Sequence, residues 1–329
     1  MSPFLDRCAT FKWKSFPLRV CVPHGVCVSR SSRVIRKFAV RIAVATLGIT
    51  TAATLAACSG SSADSGMPTI VTSTDVWGSV AAAVGGADVE VKSIIDSPNQ
   101  DPHSYQTTAS DAAAIRDAAL VVYNGGHYDE FAEQAAQGRD KPTLSAFDLR
   151  TGAAAGDDNE HVWYDMATVG AVADKIADEL GRIDPAHQQA FTDRAAAFHG
   201  RLADITAIMT NVATTHPKTP VLQTEPLAHY LLRAADTEDR TPHSFAEAIE
   251  QGTDPAPADL AAVRELLDGK QVRALVYNIQ TEDKTTKDVA ATAKGAGVPI
   301  VEVTETLPEG TDFVTWQTDN ATTLAAALD

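Results

Sequence analysis

Ala119-Leu120-Val121-Val122-Tyr123-Asn124-Gly125-Gly126 is an unbroken apolar run that stops at a Gly-Gly turn. A short run with no polar alternation reads as a strand buried on both faces, the habit of parallel sheets covered by helices. The same pattern returns in the second half as Ala274-Leu275-Val276-Tyr277 and Pro299-Ile300-Val301-Glu302-Val303. Outward from these runs, strand candidates at 69–72, 89–95, 143–147 and 221–223 alternate with helical stretches at 75–84, 110–117, 127–137, 226–235, 257–267 and 284–294. Alternation of this kind predicts two α/β units, each built on a mainly parallel sheet flanked by helices.

One long helical pattern, 185–213, lies between the two units. Phe191, Phe198, Leu202, Ile205, Met209 and Val212 follow at spacings of seven, four, three, four and three. That is a single helix face, and it predicts a stiff spine between the units.

The 329 residues are 44% apolar and only 6% aromatic, which suits helices on sheets better than a β-sandwich. The front end reads as a leader. Arg36, Lys37 and Arg41 precede an uncharged apolar stretch, 42–55, which ends at Leu55-Ala56-Ala57-Cys58. A basic flank, a short apolar stretch and small residues before a cleavage point make a secretory signal. The Leu-Ala-Ala-Cys ending resembles a bacterial lipobox, which implies lipidation of Cys58. Residues 59–66 have tether composition, and residues 1–33 fit an early-assigned start, with Val34 as an alternative initiator. All four cysteines lie at or before Cys58, so a metal site in the body must use nitrogen and oxygen.

Residues 1–58 hold nine of the 27 basic residues and one of the 43 acidic ones, so the rest balances 18 against 42, a net −24. Such a body does not seek nucleic acid or anionic lipid by charge. It concentrates cations, although solubility alone would also account for the charge.

Four segments at strand ends or helix starts carry candidate chemistry: Asp101-Pro102-His103-Ser104-Tyr105, Glu160-His161-Val162-Trp163-Tyr164-Asp165, Thr224-Glu225-Pro226 and Thr304-Glu305-Thr306-Leu307-Pro308. Open α/β sheets bind ligands at the carboxyl ends of their strands. Each segment alone has an ordinary structural reading. Together, two from each half can meet in a cleft between lobes.

The Asp-Pro-His-Ser-Tyr segment, the His-Val-Trp-Tyr-Asp segment and the spine helix, in this order and spacing, resemble the metal-binding receptors of zinc and manganese ABC importers, from about Met67 to the C-terminus. The resemblance implies two lobes joined by one long helix, with leader 1–58, tether 59–66, N-terminal lobe 67–184, connecting helix 185–213 and C-terminal lobe 214–329. It implies a metal held by His103, His161, Glu225 and Glu305, the last standing where the family usually has Asp. His229 and His127 are weaker candidates. It also implies a non-enzymatic, monomeric lipoprotein, secreted through its signal peptide and lipid-anchored to the outer face of the cell membrane, that delivers one ion to an importer permease.

Two imidazoles and two carboxylates suit manganese or iron(II), while zinc accepts the same set and outranks manganese in intrinsic affinity. The short, acidic stretch 152–160, in place of a His-rich loop, leans towards manganese. Protons are expected to compete with metal near the histidine pKa of about 6.5, before the carboxylates protonate. Rival readings are a secreted metal-dependent hydrolase, a receptor for an organic solute such as a siderophore, and an adhesin. Four protein ligands with no spare base weigh against the first, and the lack of an aromatic or Arg lining against the second.

Overall fold

The computed structural model describes residues 66–151 and 157–329. The leader, Cys58 and most of the tether lie outside them. The described residues form one compact unit. Its first half runs β1 (Thr69–Thr74), α1 (Asp75–Gly85), β2 (Glu90–Ile95), α2 (Ala109–Asp117), β3 (Leu120–Tyr123), α3 (Glu130–Ala136), β4 (Thr143–Ser145) and α4 (Met166–Ile183). After α5 (Gln188–Thr215) follow β5 (Pro220–Gln223), α6 (His229–Ala234), β6 (Glu238–Asp239), α7 (His243–Glu250), α8 (Pro257–Asp268), β7 (Ala274–Asn278), α9 (Lys284–Ala296), β8 (Ile300–Val303) and α10 (Phe313–Leu328).

The strands form two four-stranded sheets, ordered β2-β1-β3-β4 and β6-β5-β7-β8. Every pairing is parallel. Both orders place the first and third strands of each half at the centre and the second at an edge, so the strand order reverses beside β1 and β5. Crevices open at such reversals, at the carboxyl ends of the strands.

Strand periodicity explains why the apolar runs are continuous. Leu120 and Val122 of β3 face one apolar cluster, and Val121 faces another on the opposite side of the sheet. In β7, Ala274 and Val276 face inward to the first cluster, whereas Leu275 and Tyr277 face the helices behind. The first cluster is shared by both sheets and by α1, α4, α5 and α10.

The spine is α5, 28 residues or about 42 Å long. Phe191, Phe198, Leu202, Ile205, Met209 and Val212 are all buried on it, as the spacing predicts. Residues 185–187 form a separate 3-10 turn begun by Pro185 and capped by Asp184. A bond from the Phe313 backbone N–H of α10 to the Ser79 hydroxyl oxygen of α1 (2.9 Å) and one from the Tyr164 hydroxyl to the Thr304 carbonyl (2.8 Å) tie the two halves directly.

Three local expectations change. The helix expected at 127–137 begins only at Glu130, because Gly125, Gly126 and His127 all adopt positive φ. A side chain at Gly126 would place its Cβ 2.6 Å from the Phe147 ring. The helix expected at 226–235 divides into a 3-10 turn, Pro226–Ala228, and α6. β6 was not visible in the sequence: two exposed acidic residues carry no strand pattern, and pairing with β5 alone creates it. No helix among the described residues is long and apolar enough to cross a membrane.

Candidate metal centre

The crevice between the two sheets holds a cavity of about 680 Å³. All four sequence-predicted residues line it: His103, His161, Glu225 and Glu305. So do Asp101, Glu160, Glu250 and Asp283, and no Lys or Arg does. Six carboxylates and two imidazoles thus face one space.

His103 sits in the turn after β2. Asp101 builds that turn by accepting the His103 backbone N–H (2.9 Å) and the Ser104 hydroxyl (2.7 Å), an Asx-type arrangement. The residue is exposed at the cavity rim, yet its ring packs edge-on against Tyr128, centroids 4.9 Å apart. Desolvation on that side lowers its pKa, opposed by the Asp101 charge.

His161 is 2% exposed and begins the 3-10 turn Val162–Tyr164. Asn159 sets its protonation. The Asn159 amide nitrogen donates to the Pro226 carbonyl (2.9 Å), so its oxygen must face His161, where it accepts the backbone N–H (3.1 Å) and lies 3.3 Å from Nδ1. Nδ1 therefore carries the proton and Nε2 keeps its lone pair, as a metal-binding imidazole requires. Burial drives the His161 pKa down to about 3, with His103 and His229 adding to the shift.

The turn that defeats the helix at 127 positions the next aromatic. Asp129 accepts the Asn124 and Gly125 backbone N–H groups (2.6 and 2.8 Å), and the Asn124 amide donates to the Glu160 carbonyl (2.8 Å). Tyr128 is thereby held between both histidines, with its hydroxyl 3.2 Å from Glu305 Oε2.

Glu225, 5% exposed, leaves β5 in extended conformation and accepts a bond from the Thr281 hydroxyl. Glu305, 7% exposed, follows β8. Its Oε1 accepts from the Asn278 amide at the end of β7 (2.8 Å), and its backbone N–H donates to the Gln280 side chain. Burial raises both carboxyls. Glu305, beside the Glu225 charge, reaches about 8.

Burial has therefore inverted the expected order of titration. Burial lowers both imidazoles, His161 to about 3, and raises both carboxyls, Glu305 to about 8. Both shifts run against the expectation that histidine protonation near pH 6.5 sets the pH dependence of the site.

The tightest cluster pairs the two histidines with Glu160: one ligand atom from each of His103, Glu160 and His161 lies within 4.8 Å of the others. Glu225 and Glu305 line the same cavity but lie outside that cluster. Neither weaker candidate lines the cavity. His229 turns its Nε2 towards Asp157 (3.6 Å), and His127 is exposed and pairs with Glu130 (2.9 Å). Sequence reasoning missed Asn159, Tyr128, Asn278, Gln280 and Glu250. Asn278 and Gln280 stand at the end of an apolar strand run, where the strand-end rule could have found them. Nothing local marks Glu250.

Fold and site together define a two-lobed solute-binding protein whose crevice is built for a cation. Residues 70–327 match the family model of the zinc-uptake complex component A, periplasmic, and the chain belongs to that family. The zinc-binding protein TroA of Treponema pallidum is 26% identical over 181 residues, 53% of this chain. The aligned stretch spans 58% of TroA, somewhat over half its length. The manganese-binding lipoprotein MntA of Bacillus subtilis is 24% identical over 247 residues, 72% of this chain and 79% of MntA. Among solved structures, periplasmic TroA superposes with a TM-score of 0.66 at 20% identity, covering 80% of this chain and 99% of TroA. The Pseudomonas aeruginosa protein FpvC, solved with Mn2+, gives 0.66 at 22% identity, covering 80% and 98%.

Proposed function

We propose that this protein captures one divalent transition-metal ion outside the cytoplasmic membrane and delivers it to the permease of an ABC importer. The observation that carries the reading is the cavity itself: six carboxylates and two imidazoles converge from both sheets, with no basic side chain to neutralise them. A cavity so charged is relieved by a cation.

His103 and His161 supply nitrogen, and Glu225 and Glu305 supply oxygen. Because these donors come from both lobes, the ion ties the lobes together. The set holds manganese or zinc, and iron(II) falls within its range. Relatives named for zinc and for manganese support both. A hydrolase or a siderophore receptor is not favoured: the family binds solutes, and the cavity wall is acidic rather than aromatic or basic.

The chain works as a monomer, binding rather than catalysing. Residues 1–58 direct export, a lipid on Cys58 anchors the mature chain, and residues 59–66 tether the body. Lipoprotein relatives support that placement. The test is elemental analysis and thermal melting of the mature protein. One tightly held ion per chain and a melting temperature that rises with Mn2+ or Zn2+ are expected. Two or more tight ions, or a melting temperature indifferent to both metals, would overturn the reading.

A further inference from the structure

We propose that Glu250 is a fifth protein donor to the ion, completing a shell of two nitrogens and at least three oxygens that favours manganese. The inference rests on the reading of the cavity as a site for one divalent cation and adds a ligand to it.

The geometry concerns two lone pairs. Asn159 holds the proton of His161 on Nδ1, which leaves Nε2 an acceptor. Glu250 Oε1 stands 3.8 Å from that Nε2. The same oxygen is shielded from solvent and has no hydrogen-bond partner. The imidazole lone pair and an unpartnered, shielded carboxyl oxygen face each other across a gap too long for a hydrogen bond, an arrangement that a cation between them would satisfy. Donors about 2.1 Å from one ion lie roughly 3.0–3.5 Å apart at angles of 90–110°. An approach of roughly 0.3–0.8 Å by the two side chains therefore brings both onto one ion.

The backbone makes this aim durable. Glu250 is the last residue of α7, whose Phe245, Ala246 and Ile249 are buried beneath it. The Gln251 and Gly252 N–H groups fold back onto the Glu247 and Ile249 carbonyls, and Gly252 takes φ +64 to allow it. The Glu250 side chain, 22% exposed, is thus directed into the cavity rather than into solvent. Around it stand Glu160, Glu225, Glu305 and Glu247, all of its own sign. No salt bridge with Lys or Arg accounts for its position among the described residues.

A third carboxylate changes selectivity. Two imidazoles and two monodentate carboxylates satisfy tetrahedral zinc. A third hard oxygen raises the donor count to five, or to six with one bidentate carboxylate, which suits manganese.

The test compares the mature protein with Glu250→Gln and Glu250→Ala, using chelator competition with Mn2+ and Zn2+ and the visible spectrum of the Co2+-loaded forms. Manganese affinity is expected to fall at least about tenfold in both variants, the scale of losing even an outer partner of a ligand, and zinc affinity distinctly less. Co2+ absorption should strengthen as the shell contracts towards four donors. If both affinities stay within about twofold and the Co2+ spectrum is unchanged, Glu250 is a neighbouring charge and the inference falls. Equal losses for both metals with an unchanged Co2+ spectrum overturn it too. If the unaltered protein binds neither ion, the reading of the cavity falls first and the fifth donor with it.

Discussion

The hydroxyl of Tyr128 donates to Glu305 Oε2 across 3.2 Å, joining the turn after β3 in one lobe to the end of β8 in the other. Both groups are buried. Without metal, this bond and the one from Asn278 hold the Glu305 carboxyl in place and partly offset the rise in its pKa that burial causes. Tyr128→Phe is expected to destabilise the metal-free protein by about 1–3 kcal/mol, the cost of an unpaired buried polar group. The metal-bound form should lose less, since the ion takes over Glu305. Thermal melts with and without Mn2+ check this, and an equal loss in both forms would show that metal does not replace the tyrosine.

Proton linkage gives a second expectation with a definite sign. Glu305 and Glu250 are raised by burial from 4.5 to about 8. The folded protein thus holds protons that the unfolded chain has lost, and that contribution is present below pH 4.5 and lost as pH rises to about 8. His161 acts oppositely: lowered from 6.5 to about 3, it disfavours the fold as pH falls through that window. Above pH 6.5 His161 no longer acts, and the raised carboxyls, with the exposed His127 and His187 raised by their acidic partners, all act in one direction, so the metal-free protein should lose stability between pH 6.5 and 8. Metal binding at pH 7 should release about one to two protons, fewer above pH 8. Calorimetry in buffers of different ionisation enthalpy measures the count, and no release at pH 7 would contradict the inverted titration order.

Asn159 positions His161 without needing to touch the ion. Asn159→Ala removes both the tautomer-setting contact and the bond to Pro226. Affinity for either metal should drop roughly 10–100-fold, as for other lost partners of ligating histidines. Chelator competition would expose a failure as an unchanged dissociation constant.

Glu305→His replaces an oxygen donor with nitrogen. The manganese-to-zinc affinity ratio should fall, because imidazole suits zinc better than a carboxylate suits it relative to manganese. Titrations with both ions decide, and an unaltered ratio would remove Glu305 from the ligand set.

Cys58→Ala should leave the protein unprocessed or released from the membrane, since a lipid anchor needs that sulfur. Mass spectrometry of the native mature N-terminus is the check. An unlipidated start at any other residue would refute the anchor.

The local features were legible in sequence because local physics makes them. Apolar runs such as 119–123 become strands buried on both sides, and the spacing from Phe191 to Val212 becomes one face of α5. The motif residues His103, His161, Glu225 and Glu305 stood at strand ends or helix starts, where α/β crevices form, so their meeting in one cavity could be expected. Tertiary structure alone decided the rest. Tyr128 and Glu305 are 177 positions apart, Glu250 meets His161 across 89 positions, and no periodicity encodes such a pairing. Burial is likewise a property of the packed whole: it lowers an imidazole and raises a carboxyl by removing water from both, and so reverses which of them holds a proton.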